Sequence, residues 1–200
     1  MREPFRQFMA KEIEEDSVVI TCGLPATNKT ETMEVVARLK GHQILRTDLI
    51  RRDVLKGEDI FDETVASNMD KRRMVYDTMF EMADELAAKG QGVILDATFV
   101  QQSLRRRAAE VAANRNKTFV IQQTWCPEEY SLNKISKRTR EDYESNALTP
   151  EAYYNNKEKF EEVDLDDLKR RYPELRIVHL TVETAHDDES GWFVINKVVR

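Results

Sequence analysis

The chain has 200 residues, 40% of them hydrophobic, with 37 acidic against 31 basic side chains and a formal net charge of −6. That length suits one domain with a full hydrophobic core, and the acidic balance argues against a protein that binds nucleic acid through its overall charge. No apolar run approaches the roughly 18 residues that a membrane span needs, and Met1-Arg-Glu-Pro-Phe lacks the apolar centre of an export signal. Cys22 and Cys126 have neither C-x-x-C nor zinc-type spacing, so buried, reduced thiols in a cytoplasmic protein are expected.

In residues 1–16, Phe5, Phe8, Met9 and Ile13 recur at helical spacing and predict a short helix docked on the core. Residues 17–22 predict the first strand. It ends at Gly23, a short loop follows, and Lys29-Thr30 open an amphipathic helix over 29–40 that Gly41 stops. This is the layout of the phosphate-binding pattern G-x-x-x-x-G-K-[ST], with Asn28 where the pattern has its second glycine. Backbone N–H groups of such a loop converge on phosphates, and the helix that follows turns its positive end toward them. Gly23, Leu24, Pro25, Ala26, Thr27, Asn28, Lys29 and Thr30 are therefore the candidate phosphate-binding residues. Lys29 would bring a point charge to the outer phosphates, and the Thr30 hydroxyl a ligand for Mg²⁺. Asparagine enters the left-handed region more readily than other side chains, so Asn28 is the mildest replacement for a glycine that allows close approach.

Residues 42–47 predict a second strand leading into Asp48, with Arg51 one helical turn later. A long helix is predicted over 68–89, with Val75, Met79, Met82 and Leu86 on one face and Met74, Met79 and Met82 as core fillers. Gly90 and Gly92 close it, and Val93-Ile-Leu-Asp96 forms an apolar strand. Ser103 is the expected cap of a helix whose Arg105-Arg106-Arg107 triplet reads mostly as a solvated face. Residues 118–124 predict a further strand and Pro127 the start of a helix. A charged helical stretch over 145–168, a fifth strand over 176–182 and an edge strand over 192–199 complete the chain. Trp125 and Trp192 read as packing residues, and His42, His179 and His186 as structural or surface groups. Strands that alternate with helices and are continuously apolar indicate a parallel sheet covered on both faces. Ligands bind beyond the carboxyl ends of such strands, which gathers Lys29, Thr30, Asp48, Arg51 and Asp96 around one cleft. A carboxylate in an apolar strand is costly without a partner, so Asp96 calls for a cation or ligand.

The motifs fall in the order Gly23-Leu-Pro…Lys29-Thr30, Thr47-Asp48-x-x-Arg51, Ile94-Leu-Asp96-Ala-Thr98 and Lys134-Ile-x-x-Arg138, accompanied by Cys126-Pro-Glu and Ser145-Asn-Ala147. In this order the chain resembles, over residues 17–163, the small P-loop kinases, in particular bacterial AAA-type kinases related to zeta toxins and 5′-hydroxyl polynucleotide kinases. The resemblance implies a single α/β domain over 1–200 with the three-layer P-loop NTPase fold. Its sheet would be mostly parallel and five-stranded, with helices on both faces and a helical lid at about 127–150. ATP and Mg²⁺ are implied, with Asp48 as the base at the acceptor hydroxyl, Arg51 orienting the acceptor, and Asp96 beside Thr30 at the metal. Arg138, with Lys134 or Arg140, would neutralise charge on the transferred group. Relatives carry arginine where this chain has Lys134. The implied activity is transfer of the γ-phosphoryl group of ATP to a hydroxyl acceptor, a small molecule rather than a nucleic acid, with no membrane partner. The alternatives are a nucleotide-binding module with weak or no turnover because of Asn28, and a 5′-hydroxyl polynucleotide kinase. The acceptor, the base preference and the oligomeric state are not legible in the sequence.

Overall fold

The computed structural model describes residues 1–57, 68–139 and 147–200. Strand β1 (Glu3–Pro4) leads directly into helix α1 (Phe5–Glu12), followed by β2 (Val18–Cys22), α2 (Lys29–Lys40), β3 (Gln43–Arg46) and α3 (Thr47–Val54). Then come α4 (Met69–Ala88), β4 (Val93–Asp96), α5 (Gln102–Asn114), β5 (Phe119–Trp125) and α6 (Glu128–Ser136). Helices α7 (Pro150–Glu158) and α8 (Leu165–Arg171), strand β6 (Ile177–Glu183), a 3-10 turn at Glu189–Gly191 and β7 (Phe193–Val199) complete it.

The sheet has the order β1-β7-β6-β5-β2-β4-β3. The five strands from β6 to β3 run parallel, β7 returns antiparallel to β6, and β1 pairs antiparallel with β7. The expected five strands are thus the parallel set of a seven-stranded sheet, and β7 is not an edge. A two-residue strand containing Pro4 has no periodicity to read, which is why the sequence does not announce it.

Strand side chains alternate between two cores. Val18 and Ile20 of β2 face α4, α5 and α8, whereas Val19 faces α1 and α2. Helix α1 docks as its spacing predicts: Phe5, Phe8, Met9 and Ile13 are buried, and Phe5 meets Trp192 edge-to-face at 5.9 Å. Gly41 ends α2 with φ 76° and donates its N–H to Ala37 O at 2.8 Å, the left-handed stop that glycine accepts without strain.

Four expectations change. Helix α4 buries Val75, Tyr76, Met79, Phe80, Ala83 and Ala87, so small Ala83 and Ala87 let it sit close to the sheet, while Met74 and Met82 flank that stripe at 51% and 41% exposure. Helix α5 begins at Gln102, with Gln101 as its cap residue; in place of Ser103, the Glu161 carboxylate accepts the Gln102 N–H at 2.6 Å. The helical stretch expected over 145–168 is two helices, α7 and α8, because 159–164 is held by another element: Glu161 N–H donates to Val100 O, and Arg105 takes the carbonyls of Glu161 and Glu162. Its first residues, 145–146, lie outside the described residues. Trp125, at the end of β5, is 50% exposed and is not a packing residue. Among the described residues no helix is long and apolar enough to cross a membrane.

Candidate active site

Three neighbouring strand tips carry the site. Strand β2 ends at Cys22 and hands over to the loop 23–28, β4 beside it ends at Asp96, and β3 ends at Arg46 and continues straight into α3. The β3–β4 register sets Arg46 directly opposite Asp96.

The loop folds as a cradle that some of its backbone could not form with ordinary residues. Gly23 has φ +138°, and a Cβ there would stand 2.7 Å from the carbonyl and 2.9 Å from the hydroxyl oxygen of Thr124, with no room for it. Ala26 and Asn28 both adopt left-handed backbone, at φ 60° and 56°, which costs an L-residue on the order of 1 kcal/mol and asparagine less. Thr27 Oγ1 lies 2.7 Å from Thr124 Oγ1 and 2.9 Å from Leu24 O, which ties the loop to β5 and to itself. Lys29 folds its Nζ back onto Leu24 O. Burial lowers the Lys29 ammonium to about 8, against the raising influence of Asp96 and Glu31.

Thr30 donates to Asp96 Oδ2 at 2.6 Å, Thr21 Oγ1 lies 3.3 Å from Oδ1, and Arg46 Nε stands 3.9 Å from Oδ2. Burial raises the Asp96 carboxyl, opposed by its bond to Thr30 and by the charges of Lys29 and Arg46. The expectation that Asp96 has partners is met by the hydroxyls of Thr30 and Thr21 and by Arg46, with the charge of Lys29 acting on it as well.

Asp48 lies in the first turn of α3, not at its cap, since the helix starts at Thr47. Burial pushes its carboxyl up to about 6; Arg51 opposes this, Asp96 adds to it, and Lys29 and Arg138 oppose it. The charges of Arg51, Asp96, Lys29 and Arg138 therefore all reach Asp48. Arg51 Nε is buried without a hydrogen-bond partner among the described residues. Arg138, just beyond α6, donates to Ala147 O at 3.1 Å. Arg140 and Ser145 lie outside the described residues, as does most of the second half of the region 127–150.

The Asn28 side chain is 2% exposed and makes no capping bond to α2. It accepts from Lys134 Nζ and donates to the carbonyls of Thr184 and His186. Lys134 also pairs with Glu31. Sequence reasoning passed over Thr21, Glu31, Arg46 and Tyr130. For Arg46 a signal existed: it lies at the end of the strand predicted over 42–47, as Asp96 ends the strand predicted over 93–96.

A family model described as an AAA domain matches residues 18–163. No curated protein matches the chain by sequence. Among solved structures, the chain is similar to a sugar kinase from a Janibacter species, with 14% identity, a TM-score of 0.60, 85% of this chain and 86% of that one covered. It is similar to a gluconokinase from Sinorhizobium meliloti, with 16% identity, a TM-score of 0.55, and 87% and 86% covered. A complex of AvrRxo1-ORF1 and -ORF2 with ATP aligns at 16% identity and a TM-score of 0.55, over 98% of this chain and 60% of that one. With its glycine-lysine-threonine cradle at the tip of a central parallel strand and the carboxylate of Asp96 at the tip of the apolar strand beside it, the chain belongs to this AAA-domain family and has the fold of the small P-loop kinases.

Proposed function

We propose that the protein transfers the γ-phosphoryl group of ATP to a hydroxyl of a small-molecule acceptor. The observation that carries this reading is the placement of Asp48 in the first turn of α3, just beyond the tip of β3 and two strands from the phosphate loop, where burial raises its carboxyl to about 6 against the charges of Arg51 and Arg138. A base near the operating pH is what removal of an alcohol proton requires.

In the proposed reaction the acceptor oxygen bonds to the γ-phosphorus and its proton passes to Asp48. The bond from that phosphorus to the β–γ bridging oxygen breaks, and ADP keeps the electron pair. Lys29 meets the charge that accumulates on the outer phosphates, Arg51 orients the acceptor, and Arg138 neutralises the transferred group. Thr30 Oγ1 and Asp96 Oδ2, 2.6 Å apart, are the hard oxygens that Mg²⁺ prefers, and that ion typically takes only one or two protein ligands beside phosphates and water. The donor set fits; bound there, Mg²⁺ would neutralise developing phosphate charge.

The fold shared with a sugar kinase and a gluconokinase makes polyhydroxy compounds the first acceptors to try. A nucleic-acid 5′-hydroxyl is less favoured because the net charge is −6. The test is ADP release across sugars, sugar acids, amino alcohols and a 5′-hydroxyl oligonucleotide. Acceptor-dependent release is expected from the wild type, with a loss of at least about 100-fold in Lys29→Ala and Asp48→Asn. Equal background release by all three proteins would remove the catalytic claim.

A further inference from the structure

In the pattern that this loop follows, the residue before the lysine is glycine, and an asparagine there reads at first as an obstruction. Its contacts point elsewhere. The two hydrogens of Nδ2 are directed at Thr184 O, 2.8 Å, and His186 O, 2.9 Å, with Tyr130 Oη at 3.2 Å sharing them. Oδ1 accepts from Lys134 Nζ. None of these partners belongs to residues 23–27 or to the Asp96 side of the cleft. The segment 184–187 is further fixed by Thr184 Oγ1 donating to Thr27 O at 2.9 Å, Trp192 Nε1 donating to His186 O at 2.7 Å, and Tyr130 Oη donating to Asp187 at 2.5 Å. Lys134 is held from two sides, by Asn28 and by the Glu31 carboxylate in the first turn of α2.

We propose that Asn28 is a positioning residue rather than an obstruction: its amide fastens the phosphate loop to the 184–187 segment and holds the Lys134 ammonium over the start of α2 as a second fixed cation for nucleotide phosphates. The inference rests on reading residues 23–30 as the nucleotide-phosphate site. Lysine is a point charge on a flexible stem, unlike the planar fork of arginine, and loses more freedom when it is placed. A neighbour that fixes it in advance lowers that cost at the moment of binding. Asparagine suits the task because it is among the few residues that take the left-handed backbone and still carry both a donor and an acceptor.

The two views of Asn28 predict opposite signs for one substitution. If the side chain obstructs, Asn28→Gly restores the pattern and tightens binding; if it positions, Asn28→Gly weakens binding. The experiment is calorimetric titration of the full chain with ATP and, separately, with inorganic tripolyphosphate, both with Mg²⁺. The inference expects Asn28→Gly to weaken tripolyphosphate by at least about tenfold, the scale of a charged hydrogen bond. It expects Lys134→Met to cost a similar factor in the wild-type background but less than about twofold in the Asn28→Gly background, a coupling that general destabilisation does not produce. Amide exchange at 184–187 should quicken in Asn28→Gly. Undiminished or tighter tripolyphosphate binding by Asn28→Gly overturns the inference while leaving the phosphate site standing. Should Asn28→Gly not fold, Lys134→Met alone decides: unchanged affinity overturns the inference, and a tenfold loss with a shallower salt dependence supports it. A wild type that binds neither ATP nor tripolyphosphate removes the phosphate-site reading itself.

Discussion

Arg105 is the largest side chain in the fully buried set, and its charge sits among backbone oxygens. Its guanidinium donates to the carbonyls of Phe99, Val100, Glu161 and Glu162 and to the Gln102 side chain, at 2.7 to 3.3 Å. These carbonyls belong to the connection after β4 and to the link between α7 and α8, so one residue joins two segments that make no regular structure of their own. Arg105→Ala would strand the buried carbonyls of Phe99 and Val100 and the part-buried ones of Glu161 and Glu162, and an unfolding free energy lower by about 3–5 kcal/mol is expected in urea titration. Arg105→Lys should recover only a minor part of that loss, since an ammonium lacks the fork. At Asp48 the expectation concerns pH. Its folded carboxyl is raised to about 6, so the rate should climb as pH rises through about 6 and lose this limb in Asp48→Asn. The raised value also has a stability sign. Folded Asp48 holds its proton more tightly than the unfolded chain does, so its ionisation costs stability from about pH 4 upward, in full above about 6. Asp48→Asn should therefore unfold at a higher temperature than wild type at pH 7.5, and the difference should vanish near pH 3.5. That is the trade between activity and stability expected where a charge is buried for chemistry.

Helix α4 illustrates at the scale of elements what can be read from a chain and what cannot. Its extent over 69–88 follows from apolar spacing and the glycines after it. The identity of its buried face depends on alanines, because Ala83 and Ala87 decide which side approaches the sheet. Met79→Ala should cost about 2–5 kcal/mol, whereas Met74→Ala should stay within about 0.5 kcal/mol, measured by the same titration. The central strands, α2 and the phosphate loop were legible because strand, glycine, lysine and helix are consecutive, so local pattern and tertiary position coincide. Thr30, at the start of α2, and Asp96, at a strand tip, are legible for the same reason. Arg105 was not: in a run of three arginines nothing local tells the buried one from Arg106, which pairs with Asp167 at 2.7 Å, or Arg107, which pairs with Asp77 at 2.6 Å. The partners of Asn28 at Thr184 and His186 are brought to it only by the pairing of β5 with β6, and no spacing rule reaches that far.

At the scale of the whole molecule, two histidines contribute to the response to acid. Burial lowers His42 and His179 to about 4; His42 Nε2 is 3.0 Å from Ser17 Oγ, and His179 Nε2 is 2.9 Å from Gln123 Oε1. Both stay neutral in the folded state while the unfolded chain binds protons near 6.5. Their contribution is whole above about pH 6.5 and is lost as pH falls toward 4. A His42→Gln/His179→Gln double variant should show a shallower fall in melting temperature between those values than the wild type. The sheet's outer strands are short, four residues in β3 and two in β1, and β1 carries Pro4. Brief borders, one of them carrying a proline, leave little backbone for another chain to pair with.

The pairing of β1 with β7, and of Phe5 with Trp192, has a consequence for how the molecule is made. Helix α1 packs on α2 and β2, but the Phe5 end of its apolar stripe is covered only when Trp192 and β7, far along the chain, have been made. Chains halted before Trp192 should therefore leave Phe5 open to chaperones, and chains extended through β7 should conceal it.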